Sequence, residues 1–219
     1  MSNLIGIVGP SGSGKTTSLF PIDLPNIKIK GLDPKETIII SIAGIGKPLL
    51  FPNVAKHYTT GSLSKGNNHI FTSSPITTSK IIIDIGGNRS RKIPPLEKYS
   101  HIKNLVVDDA QYLQGFAFMD RVVEKGYDKF SEIGEAGYTP IKAAIEVSKE
   151  DLNIIFTYHD EENSRGDKKI KTAGKVVDSM LTLEGLFTCL FFTHTEFDSA
   201  EKKTRYYFQT RRDAYTQAK

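Results

Sequence analysis

The N-terminal part of the sequence contains a glycine-rich segment of the kind that binds phosphate groups. Residues 9–16, Gly-Pro-Ser-Gly-Ser-Gly-Lys-Thr, fit the pattern G-x-x-x-x-G-K-[ST]. Glycines let the backbone pass close to phosphate oxygens, and the amide groups of such a loop direct partial positive charge at an anion. The segment therefore predicts a site for a nucleoside triphosphate.

The residues of this phosphate loop have separate expected roles. Lys15 is expected to reach the β- and γ-phosphates, and Thr16 to place its hydroxyl group on Mg²⁺. The surrounding pattern agrees, because residues 4–8 predict a short buried strand and residues 17–20 the first turn of a helix. The predicted nucleotide contacts are Gly9, Pro10, Ser11, Gly12, Ser13, Gly14, Lys15, Thr16 and Thr17.

Two aspartates compete for the second half of the metal site, which needs a carboxylate at the end of a buried strand. Asp108 follows the apolar residues 105–107, and Asp84 follows the apolar residues 81–83. We favour Asp108, because the next residue, Asp109, is then a candidate to orient or deprotonate the attacking water. The predicted metal ligands are thus Thr16 and Asp108.

The sequence favours adenine over guanine as the base. Residues 84–87, Asp-Ile-Gly-Gly, fit the D-x-x-G motif of GTPases, but no convincing [NT]-K-x-D motif follows a later strand. The nearest approach is residues 148–151, Ser-Lys-Glu-Asp, which begins with serine and precedes a predicted strand. The predicted cofactors are therefore ATP and Mg²⁺.

His159 is a candidate sensor of the γ-phosphate. It follows the mainly apolar residues 152–158, and ligands of open α/β sheets collect at the carboxyl ends of the strands. One hydrogen bond from such a group can report hydrolysis. The alternative is a surface histidine beside the acidic residues 160–162.

Apolar segments recur along the chain with helical or looping segments between them, which predicts an α/β fold with a mostly parallel sheet flanked by helices. Residues 191–193 and 205–209 predict a closing antiparallel hairpin at the C-terminal end. The other predicted strands are residues 4–8, 37–42, 81–85, 105–107, 153–158 and 188–193. The predicted helices are residues 16–20, 118–133, 141–149 and 176–186.

The 219 residues are long enough for one sizeable domain, so residues 1–219 are expected to form a single unit. Within it, residues 44–100 are expected to hold an inserted hairpin and loop region. The hairpin would pair residues 69–72 with residues 80–85, and residues 86–100 would lead back into the core.

Composition excludes several classes of protein. The single cysteine, Cys189, lies in an apolar segment, which excludes disulfides and makes a zinc site implausible. No run of 18 apolar residues is present, and the first strand begins almost at once, leaving no room for a signal peptide. We therefore expect a cytoplasmic protein without a membrane partner.

The net charge of +4 and the pI near 9.0 describe a chain that is only mildly basic. The distribution of the charge is more suggestive, because four lysines cluster and aromatic residues 206–208 lie near Arg211 and Arg212. A cationic groove with stacking aromatics suits single-stranded DNA, whereas the alternatives are a solvated face and aromatics packed in the core. The candidate DNA contacts are Lys168, Lys169, Lys171 and Lys175.

These features resemble those of phage-encoded RecA-like ATPases. In chain order they are the phosphate loop, the strand ending at Asp108, the strand ending at His159, the basic segment and the C-terminal residues. The resemblance implies one core domain for homologous recombination or single-strand annealing, assembled on single-stranded DNA as a ring or filament. It also implies a metal ligand at Asp108, a sensor at His159, and an arginine, Arg211 or Arg212, that reaches a neighbouring subunit's phosphate. Residues 44–100 match no part of that family, and no glutamate stands at its usual base position.

The residues and the resemblance together predict a Mg²⁺-dependent ATPase that acts on single-stranded DNA, in the host cytoplasm if phage-encoded. The catalytic candidates are Lys15, Asp108, Asp109 and His159. One alternative is a nucleotide-dependent switch or helicase-loading module with slow hydrolysis, since Asp109 is shorter than the usual glutamate. Less favoured are a GTPase and a small-molecule kinase, whose lid would have to be residues 163–175, with Arg165 as its one arginine.

Overall fold

A seven-stranded sheet forms the centre of the fold and brings the candidate residues to one edge. The computed structural model describes residues 2–24, 27–43, 56–126, 128–172, 182–213 and 215–219. The strands are β1 (Asn3–Val8), β2 (Ile22–Leu24), β3 (Ile27–Ile29), β4 (Thr37–Ser41), β5 (His69–Phe71), β6 (Asn104–Asp108), β7 (Asn153–Tyr158), β8 (Asp160–Glu162), β9 (Lys168–Ile170), β10 (Cys189–Asp198) and β11 (Lys203–Gln209). The order in the central sheet is β11-β10-β1-β7-β6-β4-β5, and β2-β3 and β8-β9 form two-stranded ribbons.

The strand directions confirm the predicted α/β fold with a mostly parallel sheet and a C-terminal antiparallel hairpin. β5, β4, β6, β7, β1 and β10 pair in parallel, and β10 and β11 form the predicted antiparallel hairpin. β7 lies between β1, which leads into the phosphate loop, and β6, which ends at Asp108. The buried strands are continuous apolar runs, as expected for a parallel sheet covered on both faces.

Three α-helices are seen among the described residues: α1 (Pro75–Gly86), α2 (Tyr112–Asp120) and α3 (Asp128–Ile145). The predicted helices at residues 118–133 and 141–149 are wrong in their bounds. The first spans the break between α2 and α3, where Gly126 has a φ of 106°, and the second is the C-terminal part of α3. Most of the predicted helix at residues 176–186 lies outside the described residues; its end, Leu183–Leu186, is a 3-10 helix.

The predicted strand at residues 81–85 is wrong, and so is the inserted hairpin that it would form. Those residues belong to α1, which begins at Pro75 after Ser74, whose hydroxyl accepts a hydrogen bond from the Thr77 amide at 3.2 Å. Proline at the first position and serine before it are helix-starting signals. Residues 69–72 do contain a strand, β5, but it joins the central sheet beside β4. The D-x-x-G segment at Asp84 therefore lies at the end of a helix rather than after a strand.

The two faces of the sheet are covered by different kinds of structure. On one face Ile82, Leu113 and Ile141, from the three described helices, join the larger core cluster with alternate strand residues. On the other face a smaller cluster includes Leu19, Phe20, Ile22 and Tyr58 from turns and from β2, packed on Ile7, Ile39, Val106 and Ile155. The turn that follows the phosphate loop therefore packs on this second face.

The helix predicted at residues 16–20 is replaced by a single 3-10 turn, Thr17–Leu19. Phe20 adopts an extended backbone, with φ −101° and ψ 147°, and Pro21 follows it. The ring of a proline disfavours helical geometry in the residue before it, so the turn cannot continue. The segment instead crosses the sheet face towards β2.

Candidate functional site

The carboxyl ends of β1, β6 and β7 meet at one edge of the sheet and define the site. Val8 at the end of β1 is in register with Tyr158 of β7, and the phosphate loop continues from there with a hydrogen bond from the Gly9 amide to the Tyr158 carbonyl at 3.1 Å. Asp108 follows Val107, which is in register with Phe156 of β7. The sequence elements singled out for nucleotide chemistry are therefore neighbours in the fold.

The phosphate loop has the backbone that its glycines predict. Gly12 and Gly14 have φ angles of 75° and 88°, in the left-handed region where side chains other than glycine are strained. Gly9 is required for a different reason, because a Cβ atom there would lie 1.7 Å from the Thr193 hydroxyl oxygen. That hydroxyl also bonds Ser13 Oγ at 2.7 Å, so β10 supports the loop from the side.

Lys15 is buried, with 5% of its surface exposed. Its Nζ donates hydrogen bonds to the carbonyl oxygens of Gly9 at 2.7 Å and Pro10 at 2.9 Å. Burial lowers the pKa of the ammonium group, and the carboxylates of Asp109 and Asp108 oppose that effect. The arrangement directs one positive charge into the loop and towards the two aspartates.

Asp108, at the end of β6, is hydrogen-bonded both to the phosphate loop and to β7. Its Oδ1 accepts hydrogen bonds from the hydroxyl groups of Thr16 and Thr157, both at 2.7 Å. Burial raises the pKa of Asp108 and the neighbouring Asp109 raises it further, whereas the two hydroxyl groups and Lys15 favour the ionised form. The predicted metal ligands, Thr16 and Asp108, are thus in direct contact. Asp84, the other aspartate considered for this role, lies on α1 in an ion pair with Lys80.

Asp109 adopts a left-handed backbone, with a φ of 60°, which is uncommon for a residue other than glycine. Its amide donates to the Thr157 hydroxyl at 2.8 Å. Its carboxylate lies 3.6 Å from Nε2 of His159. Such local strain is often retained at functional sites, and here it turns the side chain of Asp109 towards His159.

His159 and Gln111 form the outer part of the site. The His159 amide donates to Oε1 of Gln111 at 3.2 Å, and the imidazole makes an edge contact with Tyr112. Burial lowers the pKa of His159, and the charge of Lys15 adds to that effect. The neutral imidazole is therefore favoured. Nε2 of Gln111 is buried and has no hydrogen-bond partner among the described residues, which leaves this amide nitrogen available as a donor to a group bound in the site.

The candidate DNA contacts that the structure describes lie on or beside the β8-β9 ribbon. Lys168 lies 3.7 Å from Asp160, and Lys169 lies 2.9 Å from Glu161, across the β8-β9 ribbon. The Lys171 amide donates to the His159 carbonyl at 2.9 Å, so this lysine stands beside the nucleotide site. Lys175 lies outside the described residues. Arg211 and Arg212 are exposed beyond β11.

Two supporting residues had no role in the sequence interpretation. Thr157 lies near the end of β7 and Thr193 in the middle of β10, and each is buried and places a hydroxyl group against the site. A threonine at such a position is a usable signal, because a buried hydroxyl needs a partner. Its partner, however, comes from another strand and becomes evident only in the fold.

No protein-family model matches the chain, and no curated protein matches it. A solved structure, a prototypical ATPase from the type III secretion system of pathogenic bacteria, is similar over 86% of this chain, with 11% sequence identity and a TM-score of 0.45. The match covers 50% of that protein's chain. Within the described residues, none of the helices has both the length and the apolar character that crossing a membrane would require.

If the site hydrolyses ATP, as the sequence predicts, replacing Thr157 with valine is expected to slow turnover about tenfold, because an active-site hydrogen bond to a charged group contributes about 1.5–3 kcal/mol. The hydroxyl holds Asp108 through Oδ1 and Asp109 through its amide, so its loss leaves both aspartates less well positioned. Steady-state kinetics of Thr157→Val, beside the exposed-strand control Thr204→Val, would measure the effect. Equal turnover in the two variants would show that Thr157 does not position the aspartates.

Proposed function

We propose that this protein binds ATP with Mg²⁺ and hydrolyses it. The observation that carries the proposal is the pair of 2.7 Å hydrogen bonds that fix Asp108 between Thr16 of the phosphate loop and Thr157 of β7. A hydroxyl and a carboxylate in contact at the end of a phosphate loop are oxygen ligands of the type that Mg²⁺ prefers.

The residues present fit the proposed ligands. Gly9 leaves space that a Cβ atom would fill, and Gly12 and Gly14 hold the loop backbone in the geometry that directs amides at an anion. Thr16 and Asp108 would hold Mg²⁺, which when bound neutralises charge on the phosphate oxygens. Lys15 supplies a further positive charge from within the loop.

The proposed reaction is attack of water on the γ-phosphorus. The bond between that phosphorus and the bridging oxygen breaks, giving ADP and phosphate, and Asp109 accepts a proton from the attacking water. Asp109 suits this role because it follows Asp108 directly and its carboxylate lies at the same edge of the sheet, near His159. Neutral His159, 3.6 Å from Asp109, and the free donor of Gln111 would orient the water or the γ-phosphate. Most of the acceleration would come from positioning and from fixed charge.

We further propose that hydrolysis is coupled to single-stranded DNA. The support is the resemblance to RecA-like recombination proteins and the position of Lys171, whose amide is bonded to His159. A DNA phosphate on the β8-β9 ribbon would then lie close to the proposed sensor. The ion pairs of Lys168 and Lys169 with acidic residues would have to exchange for DNA contacts, which makes the coupling sensitive to salt.

This coupling gives a direct test. Single-stranded DNA is expected to raise the steady-state rate of ATP hydrolysis at low salt, and the stimulation is expected to fall as the salt concentration rises. Lys171→Ala should lose stimulation while keeping the basal rate, and Lys65→Ala, an exposed lysine on another part of the surface, is the matched control. A basal rate that does not respond to DNA at any salt concentration would leave an ATPase without the proposed DNA coupling.

The second candidate function is a slow nucleotide-dependent switch or helicase-loading module. The observation that favours it is the orientation of Asp109, whose carboxylate already faces His159 rather than lying free for water. Tight ATP binding with little turnover, with or without DNA, would support the switch over the DNA-dependent ATPase.

A further inference from the structure

The aromatic ring of Tyr206 lies against the phosphate loop. Tyr206 is on β11, in register with Thr195 of β10, and a Cβ atom built on Gly14 would lie 3.5 Å from its Cδ1. Two residues further along β11, Phe208 is in register with Thr193, the residue that bonds Ser13. The sheet face that carries Tyr206 is therefore the face that carries the loop.

The same residues determine in which direction a bound nucleotide would extend. Thr16 and Asp108 lie on the side of β1 where β7 and β6 are, and Asp109, which follows β6, lies on the same side. The γ-phosphate end of the ligand therefore belongs on that side. β10 and β11 lie on the opposite side of β1, so the nucleoside end extends towards them. Tyr206 is the aromatic residue that meets the loop on that side.

Tyr206 is more exposed than Tyr207 and Phe208, the aromatic residues that follow it on β11. Its surface is 59% exposed although its ring lies beside the loop backbone. Phe208 on the same face has a packing partner in Phe191, with ring centroids 6.3 Å apart. On the opposite face of β11, Tyr207 packs beside His194, with ring centroids 6.4 Å apart. Tyr206 thus differs from both neighbours in lying next to the loop without an aromatic partner among the described residues.

We propose that Tyr206 stacks on the base of the bound nucleotide and so forms the nucleobase subsite of the phosphate loop. The inference rests on the proposed function, because it requires a nucleotide in the loop. Stacking uses the face of the ring and needs no hydrogen bond from the phenol, so phenylalanine would serve equally. An aromatic platform accepts any base, and it therefore contributes affinity for the nucleoside rather than a strict choice of adenine.

The decisive experiment compares ATP with inorganic tripolyphosphate, which has the phosphate chain without the base. Binding of both is measured by calorimetry, in the presence of Mg²⁺, for the wild type, Tyr206→Ala, Tyr206→Phe and the matched control Tyr207→Ala on the opposite strand face. Tyr206→Ala is expected to bind ATP about tenfold more weakly and tripolyphosphate as the wild type does. Tyr206→Phe and Tyr207→Ala are expected to bind both ligands normally.

Two results would overturn the subsite without touching the phosphate site. In the first, Tyr206→Ala binds ATP as tightly as the wild type. In the second, the variant loses ATP and tripolyphosphate equally, which would mean that the ring only supports the loop. A wild type that binds neither ligand would overturn the proposed function and the subsite together. Because Tyr206 is exposed, thermal unfolding of the alanine variant is expected to match that of the control, and this checks that the loop is still folded.

Discussion

Replacing Lys15 with alanine is expected to reduce ATP turnover by about 100-fold or more, the effect typical of losing one preorganised charge at a transition state. Lys15 provides the buried positive charge of the loop, and its ammonium group is held there by the carbonyls of Gly9 and Pro10. The charge of Lys15 cannot be replaced by a solvent-exposed lysine, because screening weakens exposed charges. ATP affinity should fall as well, since the β- and γ-phosphates lose their main cationic partner.

The measurement is steady-state hydrolysis and ATP binding for Lys15→Ala beside Lys65→Ala, which removes an exposed lysine far along the chain. Thermal unfolding of both variants shows whether the loop substitution disturbs the fold. Unchanged affinity and turnover in Lys15→Ala would contradict the assignment of residues 9–16 as the nucleotide site.

Replacing Asp108 with asparagine is expected to abolish most Mg²⁺-dependent turnover and, at the same time, to stabilise the fold. A metal ion contributes several kcal/mol of transition-state stabilisation, so a loss of about 100-fold or more follows if its carboxylate ligand is removed. Asparagine keeps an oxygen that can accept from Thr16 and Thr157. The matched control is Asp84→Asn. It removes an ion pair with Lys80, whose side chain is exposed, and turnover should stay near that of the wild type.

The stabilising effect has a defined pH dependence. Burial and Asp109 raise the pKa of Asp108 above its unfolded value, so ionisation in the folded state costs free energy. Stability linked to this group is fully present below the unfolded pKa and is lost as pH rises through the higher folded pKa. The melting temperature of Asp108→Asn should therefore exceed that of the wild type by about 2–4 °C near neutral pH, and the difference should shrink towards about pH 4. A larger loss of turnover in Asp84→Asn than in Asp108→Asn would contradict the choice of strand.

The phosphate loop was predictable from sequence because its requirements are local. Glycine is needed where φ is positive, as at Gly12 and Gly14, and the lysine and threonine follow at fixed positions. The strand ending at Asp108 was predictable for a similar reason, since a continuous apolar run that stops at two acids is typical of a buried strand reaching the edge of a sheet. These local signals also gave the parallel sheet and the C-terminal hairpin.

Residues 81–85 show where local signals are insufficient. Four isoleucines and an aspartate fit a buried strand and the buried face of a helix equally well, and the helix is selected by Ser74 and Pro75 several residues earlier. The shortened turn after the phosphate loop depends in the same way on one residue, Pro21. Strong apolar character therefore showed where these buried segments lie in the chain, but it did not show whether each is a helix, a turn or a strand.

The supporting residues of the site could not be assigned from sequence because their partners are far away in the chain. Thr157 contacts Asp108, and Tyr206 lies beside Gly14, only after the strands are in register. The exposed ring of Tyr206 was also compatible, from sequence alone, with packing in the core. Its position beside the loop follows from the order of β1, β10 and β11 in the sheet.

The most direct test of the central proposal is the release of phosphate from ATP by the wild type, with Mg²⁺ and with excess EDTA, beside Lys15→Ala purified in the same way. The expected result is hydrolysis that requires Mg²⁺ and is lost in the variant. Phosphate release that is absent under both conditions, or that is the same in EDTA and in the Lys15→Ala preparation, would contradict a Mg²⁺-dependent ATPase at this site.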